Sequence, residues 1–147
     1  LLGAQLLSVA YGGNYEHSPE REIGVFPVTL TEAGLVGWAC QRFWQNPKHW
    51  PLAWWYAGLT YNAVVLATSQ GCPRQIVRFS PKHYAFQAHL EFDPEAIDLL
   101  IAADGEEHLR KQNKVLPFVQ TPEQLRANDY SEMNKKLYDF LDSLTQA

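Results

Sequence analysis

The apolar positions are most regular near the end of the chain. Met133, Leu137, Phe140, Leu141 and Leu144 fall at i, i+4, i+7, i+8 and i+11, one stripe opposite Lys135, Lys136, Asp139 and Asp142, which predicts an amphipathic helix. Upstream, Asp93-Pro94-Glu95 supplies an N-cap, a proline at the first helical position and an acid in the first turn. Ile97, Leu100 and Ile101 follow on one side and Gly105 is the stop, so a second helix is predicted there. Glu106 to Gln112 continues as a further helical piece, and Thr121-Pro122-Glu123-Gln124 is a capping box around another proline start.

Before residue 92 the pattern shortens. Ala63–Ser69 (AVVLATS), Gln75–Ser80 (QIVRFS) and Tyr84–Glu91 (YAFQAHLE) are short runs separated by Gly71, Pro73 and Pro81, which predicts three strands joined by turns. Glu22–Thr31 (EIGVFPVTLT) alternates and is rich in β-branched residues, a strand with a bend at Pro27, preceded by a polar stretch. Leu1–Val9 reads as a strand end, a tight turn at Gly3 and a short buried helix, closed by Tyr11-Gly12-Gly13-Asn14. Residues 36–57 break every period. All five tryptophans (Trp38, Trp44, Trp50, Trp54 and Trp55) lie there with Pro47 and Pro51, and this window stays unassigned.

Size and charge narrow the partners. A chain of 147 residues fits one domain with a real core. A net charge of -4 without any basic run offers no field for a phosphate backbone or an anionic lipid surface, so neither nucleic acid nor membrane is expected. No apolar run approaches the ~20 residues that span a bilayer, and no secretory signal opens the chain, so a cytoplasmic location is expected. Cys40 and Cys72 fit neither a disulfide framework nor a zinc spacing, and no cofactor motif or metal-ligand spacing is present. The first residue is Leu1 and the single methionine is Met133, so the chain is expected to be a piece of a longer sequence.

Two constellations could carry chemistry. In Gln87-Ala88-His89-Leu90-Glu91, residues 89 and 91 share a face of an alternating strand, so the carboxylate can hold the imidazole in one tautomer. A base oriented by an acid is two-thirds of a nucleophilic triad, although such a pair is also a common surface hydrogen bond. In Leu1-Leu2-Gly3-Ala4-Gln5 an apolar approach meets a glycine turn that opens a helix. A nucleophile on such an elbow would sit where the helix dipole and free N–H groups lower a thiol pKa and receive an oxyanion. Without one, the segment is simply a helix start.

In order along the chain, these segments resemble the class I glutamine amidotransferases. LLGAQLL resembles their Cys-Leu-Gly-x-Gln elbow and FQAHLE their Gln-x-His-x-Glu strand, while EIGVFPVTLT and AVVLATSQGCPRQIVRF are similar to the corresponding stretches of the glutaminase domain of GMP synthase. The resemblance implies an α/β fold with an open sheet of flavodoxin-like type. It implies that the family's N-terminal strands lie before residue 1, leaving an exposed sheet edge prone to self-association. Residues 1–105 would form the partial amidotransferase domain and residues 106–147 its C-terminal helical extension. It implies L-glutamine as substrate and a synthase domain or subunit as ammonia acceptor. By position His89 would be the base, Glu91 its orienting partner, Gln5 a contact to glutamine and the backbone at Leu2 part of the oxyanion hole.

One departure decides the expected activity. Leu1 stands where the family has its cysteine, and an isobutyl group cannot attack an amide. Cys72, in Gly71-Cys72-Pro73, is no substitute, because relatives also tend to have a cysteine there without catalytic duty. The family's His-Trp-His segment has no counterpart either: resemblance breaks near Leu35 and resumes at Gly58. Residues between are expected to be translated out of the ancestral frame or to form an aromatic insertion. The expectation is therefore an amidotransferase-like protein without catalysis. Two alternatives stay open: an active hydrolase whose nucleophile is Cys40 or lies outside the chain, and an interaction protein that docks through the tryptophan window.

Overall fold

A computed structural model describes residues 2–36 and 53–145. The first element is helix α1 (Leu2–Ala10), ended by Gly12, whose φ of 80° only glycine adopts without strain, and by a hydrogen bond from Gly13 N to the Ser8 carbonyl of 2.9 Å. The helix was expected to be buried, and it is buried on one side only. Ala4 and Ser8 face inward, while Leu2, Leu6 and Val9 are 67%, 60% and 50% exposed. Small residues at the contact let the helix lie close to the sheet, and the Ser8 hydroxyl is within 2.9 Å of the Gly58 carbonyl.

The remaining elements are strands β1 (Tyr15–Glu22) and β2 (Val28–Leu30), helix α2 (Glu32–Val36), strands β3 (Ala53–Ala57), β4 (Val64–Ser69), β5 (Ile76–Ser80) and β6 (His83–Phe86), and helices α3 (Pro94–Asp104), α4 (Glu106–Asn113), α5 (Pro122–Ala127) and α6 (Ser131–Thr145). They form an α/β fold with open sheets. β1 pairs antiparallel with β3, and β2, β4, β5 and β6 form a four-stranded antiparallel sheet in that order. Among the described residues the parallel character of a flavodoxin-like sheet survives in one isolated bridge, Ile23 with Val119.

Three strand expectations are corrected. The predicted strand Glu22–Thr31 is divided: Tyr15–Glu22, dismissed as a polar stretch, is β1, and Gly24 (φ 142°) to Pro27 turns the chain before β2 begins. β1 lacks apolar alternation because, among the described residues, it pairs with β3 alone and much of the ribbon stays in water. β3 itself lies inside the window that showed no period. The third predicted strand stops at Phe86, so residues 87–92 form a loop.

The helices predicted after residue 92 all form, two of them at the starts that capping chemistry marks. Asp93 accepts from Ala96 N at 2.8 Å, and Thr121 and Gln124 complete the capping box at the start of α5. Along α6, Met133 and Phe140 are buried, whereas Leu141 is 47% exposed and lies off the buried face. Two apolar clusters sandwich the four-stranded sheet. Leu66 and Ile76 pack with Ile97, Ile101, Leu109, Leu125 and Met133 of the C-terminal helices. Val77, Phe79 and Ala85 point the other way and meet Ala4 of α1. Burying the C-terminal helices against the strands makes residues 106–145 part of the same core.

Candidate active site

The loop between β6 and α3 carries the predicted dyad. His89 Nδ1 lies 2.5 Å from Glu91 Oε1, with the two side chains 23% and 57% exposed. An ionised carboxylate only accepts, so Nδ1 carries the proton and the Nε2 lone pair is left to act as a base. Phe92 stacks on the imidazole with ring centroids 4.4 Å apart and planes 11° from parallel. Partial burial raises the Glu91 pKa, but the hydrogen bond from His89, the backbone and the imidazole charge outweigh it, and the carboxyl ends below its ordinary range. The pair thus meets although residues 89 and 91 are past the end of the strand. Buried Ala88 and Leu90 alternate with them and fix which way the loop faces.

The second predicted constellation lies along the outer side of α1. Leu2, Gln5, Leu6 and Val9 form one wall and Tyr15 and Trp55 the other wall of a cleft of about 350 Å³. Leu2 and Gln5, named from the elbow motif, are therefore in one cavity. Trp55, expected as part of a docking surface, lines the same cleft and packs its ring against Tyr15 and His17. Leu1, Trp38, Trp44, Trp50 and Cys40 lie outside the described residues.

A polar network joins these regions, and sequence reasoning assigned it no role. Gln87, 1% exposed, donates through Nε2 to the Trp55 carbonyl, which ties the dyad loop to the strand beside the cleft. Its backbone N donates to the Gln75 carbonyl at 2.9 Å. Gln75 in turn donates to Glu22 Oε2 at 2.6 Å, and Glu22 Oε1 accepts from Ser69 Oγ at 2.7 Å and Gly71 N at 3.1 Å. Glu22 is fully buried, and desolvation raises its pKa against the effect of those hydrogen bonds. Cys72 beside it is 0% exposed, and burial pushes its thiol up to about 11, far from a reactive thiolate. The Gln-x-His-x-Glu pattern contained Gln87, which is the one signal that could have drawn attention to it.

No protein-family model matches the chain. It is 44% identical over 148 residues, 99% of its length, to the glutamine amidotransferase-like protein YfeJ of Salmonella typhimurium strain LT2, of which it covers 60%. The crystal structure of SMU.1228c superposes with a TM-score of 0.92 at 48% identity, covering 98% of this chain and 61% of that one. A glutamine amidotransferase from Methylobacillus flagellatus has the same fold, with a TM-score of 0.85 at 21% identity over 99% of this chain and 60% of the other. Over nearly its whole length the chain is thus similar to a glutamine amidotransferase-like protein and has the fold of a solved glutamine amidotransferase. It spans about three-fifths of the length of these relatives. The tryptophan window lies within the matched length. No described helix is long and apolar enough to cross a membrane.

Proposed function

We propose that this chain supplies the glutamine-amide site of a glutamine amidotransferase-like protein, and that with Leu1 at the nucleophile position it does not hydrolyse the amide. In the family's reaction a thiolate at the elbow attacks the side-chain amide of glutamine. Ammonia leaves and water resolves the thioester. His89, with its proton on Nδ1 toward Glu91, has the lone pair on Nε2 that such a reaction needs to collect the thiol proton and return it to the departing nitrogen. Gln5 would bond the bound glutamine, and N–H groups at the start of α1, near Leu2, would face the developing oxyanion.

The observation that carries this reading is the His89–Glu91 hydrogen bond on a loop that Gln87 ties to the strand lining the Leu2–Gln5 cleft. Removing the nucleophile of a serine protease triad costs on the order of 10⁶ in rate, because the remaining members act only as a unit. A leucine in place of the thiol therefore leaves a base with no proton to collect. Cys72 does not replace it, being buried with its thiol held protonated. The ammonia acceptor of an active relative would be a synthase domain or subunit, and cytoplasmic glutamine its nitrogen source.

Titrating L-glutamine into the ¹⁵N-labelled chain tests the site. Amide shifts should move at Leu2, Gln5, Tyr15 and Trp55, and Gln5→Ala should weaken the response at least tenfold, the loss of about one buried hydrogen bond to a charged or polar ligand. Shifts that ignore glutamine, or that survive unchanged in Gln5→Ala, would overturn the assignment.

A further inference from the structure

The loop that carries the dyad lies beyond the end of β6, so its carbonyls have no ladder partners and something else must satisfy them. Two of them are satisfied by one side chain. Asn134, in the first turn of α6, donates through Nδ2 to the Leu90 carbonyl at 2.7 Å and to the Phe92 carbonyl at 3.0 Å. A carboxamide nitrogen has two hydrogens, and both are spent on the residues that flank Glu91.

The consequence reaches the imidazole by two routes. Holding the backbone at 90 and 92 fixes the direction of the Glu91 carboxylate that lies 2.5 Å from His89 Nδ1. Holding Phe92 also fixes the ring that stacks on the other side of the imidazole, 4.4 Å between centroids. Asn134 is itself anchored at its backbone: its neighbour Met133 is 2% exposed in the main core, and its own N–H donates to the Tyr130 carbonyl at 3.2 Å.

We propose that Asn134 is a positioning residue of the candidate site, clamping the Leu90 and Phe92 carbonyls so that Glu91 and Phe92 hold His89 in a single tautomer and orientation. The claim rests on the reading of His89 as the base and Glu91 as its orienting acid. It also gives the C-terminal helix a role at the site: α6 does not touch the imidazole but sets what surrounds it.

The test uses the whole chain and reads His89 by NMR. In the unmodified protein the His89 ring nitrogens should show one neutral tautomer, with the proton on Nδ1. In Asn134→Ala they should show a mixture, and the Glu91 carboxyl should titrate closer to the ordinary glutamate range, while the Glu22 carboxyl, in a separate network, keeps its own titration. A general loosening of the fold would move both carboxyls, and that result, or an unchanged His89 tautomer in a folded Asn134→Ala, overturns the proposal. Should Asn134→Ala not fold, the unmodified chain still decides. Couplings across the hydrogen bonds from the Asn134 side-chain amide to the Leu90 and Phe92 carbonyl carbons should be measurable, and their absence overturns the clamp. None of these readouts involves glutamine, so a failure of L-glutamine to bind would count against the proposed site and not against Asn134.

Discussion

Glu22 offers the sharpest test of how the core is held, because it is a fully buried carboxyl with three donors around it: Ser69 Oγ, Gly71 N and Gln75 Nε2. Replacing it by leucine keeps the volume roughly constant and removes every acceptor. Ser69 can turn its hydroxyl to the Cys72 carbonyl, 3.4 Å away, but Gly71 N loses its partner and Gln75 Nε2 loses one of its two acceptors, keeping Ser69 Oγ at 2.9 Å. A buried group left without a partner costs about 1–3 kcal/mol, and a lost hydrogen bond at a group that keeps another about 0.5–1.5 kcal/mol, so Glu22→Leu should destabilise by about 2–4 kcal/mol. Against a total stability of about 5–15 kcal/mol for a domain, that is a large fraction.

Glu22→Gln should behave differently. The amide oxygen can still accept from Ser69 and Gly71, and its nitrogen would oppose the Gln75 nitrogen. Gln75 Oε1, buried and without a partner, becomes that nitrogen's acceptor if the Gln75 amide turns over. The cost should stay below about 1.5 kcal/mol, one ordinary hydrogen bond. Urea unfolding followed by circular dichroism measures both variants. Equal stability of Glu22→Leu and Glu22→Gln would mean that the carboxyl is not what satisfies those donors.

Other outcomes follow from the same geometry. Burial raises the folded-state pKa of Glu22, so between the ordinary glutamate value and that raised value the folded chain holds a proton that the unfolded chain has released. Stability should therefore fall as pH rises through this window, and a pH series of unfolding curves should show a smaller fall in Glu22→Gln. Cys72 should resist alkylation by iodoacetamide in the folded chain and react in urea, since its thiol is buried and pushed up to about 11; rapid labelling of the folded chain at that residue contradicts this. Phe140→Ala removes edge contacts with Tyr84 and Phe86 at centroid distances of 5.1 and 5.0 Å and should cost about 3–5 kcal/mol in the same urea assay.

The helices were legible because their signals are local. A cap, a proline and a stop lie within a few residues of the hydrogen bonds they make, as at Asp93 and Thr121. β1 was not legible, since its strand character comes from β3, 31 residues beyond its end, and neither carries alternation. That His89 and Glu91 meet was legible from their spacing, but for a reason the fold revises. His89 and Glu91 meet in a loop, through a geometry kept by Phe92 and Asn134, not by the pleat of a strand. Gln87 and Glu22 escaped notice because the value of a buried polar side chain depends on partners far away in sequence, Trp55 for one and Gln75 for the other. Leu2 and Gln5 were placed by motif order, which a hydrophobic pattern could not have supplied.

Mass spectrometry after incubation with an electrophilic glutamine analogue decides whether any residue of the chain acts as a nucleophile toward the amide. No adduct should form on the unmodified chain, and one should form at residue 1 in Leu1→Cys and be lost when His89→Ala is added. A glutamyl-type adduct on the unmodified chain, at Cys40 or at any other residue, would contradict this expectation.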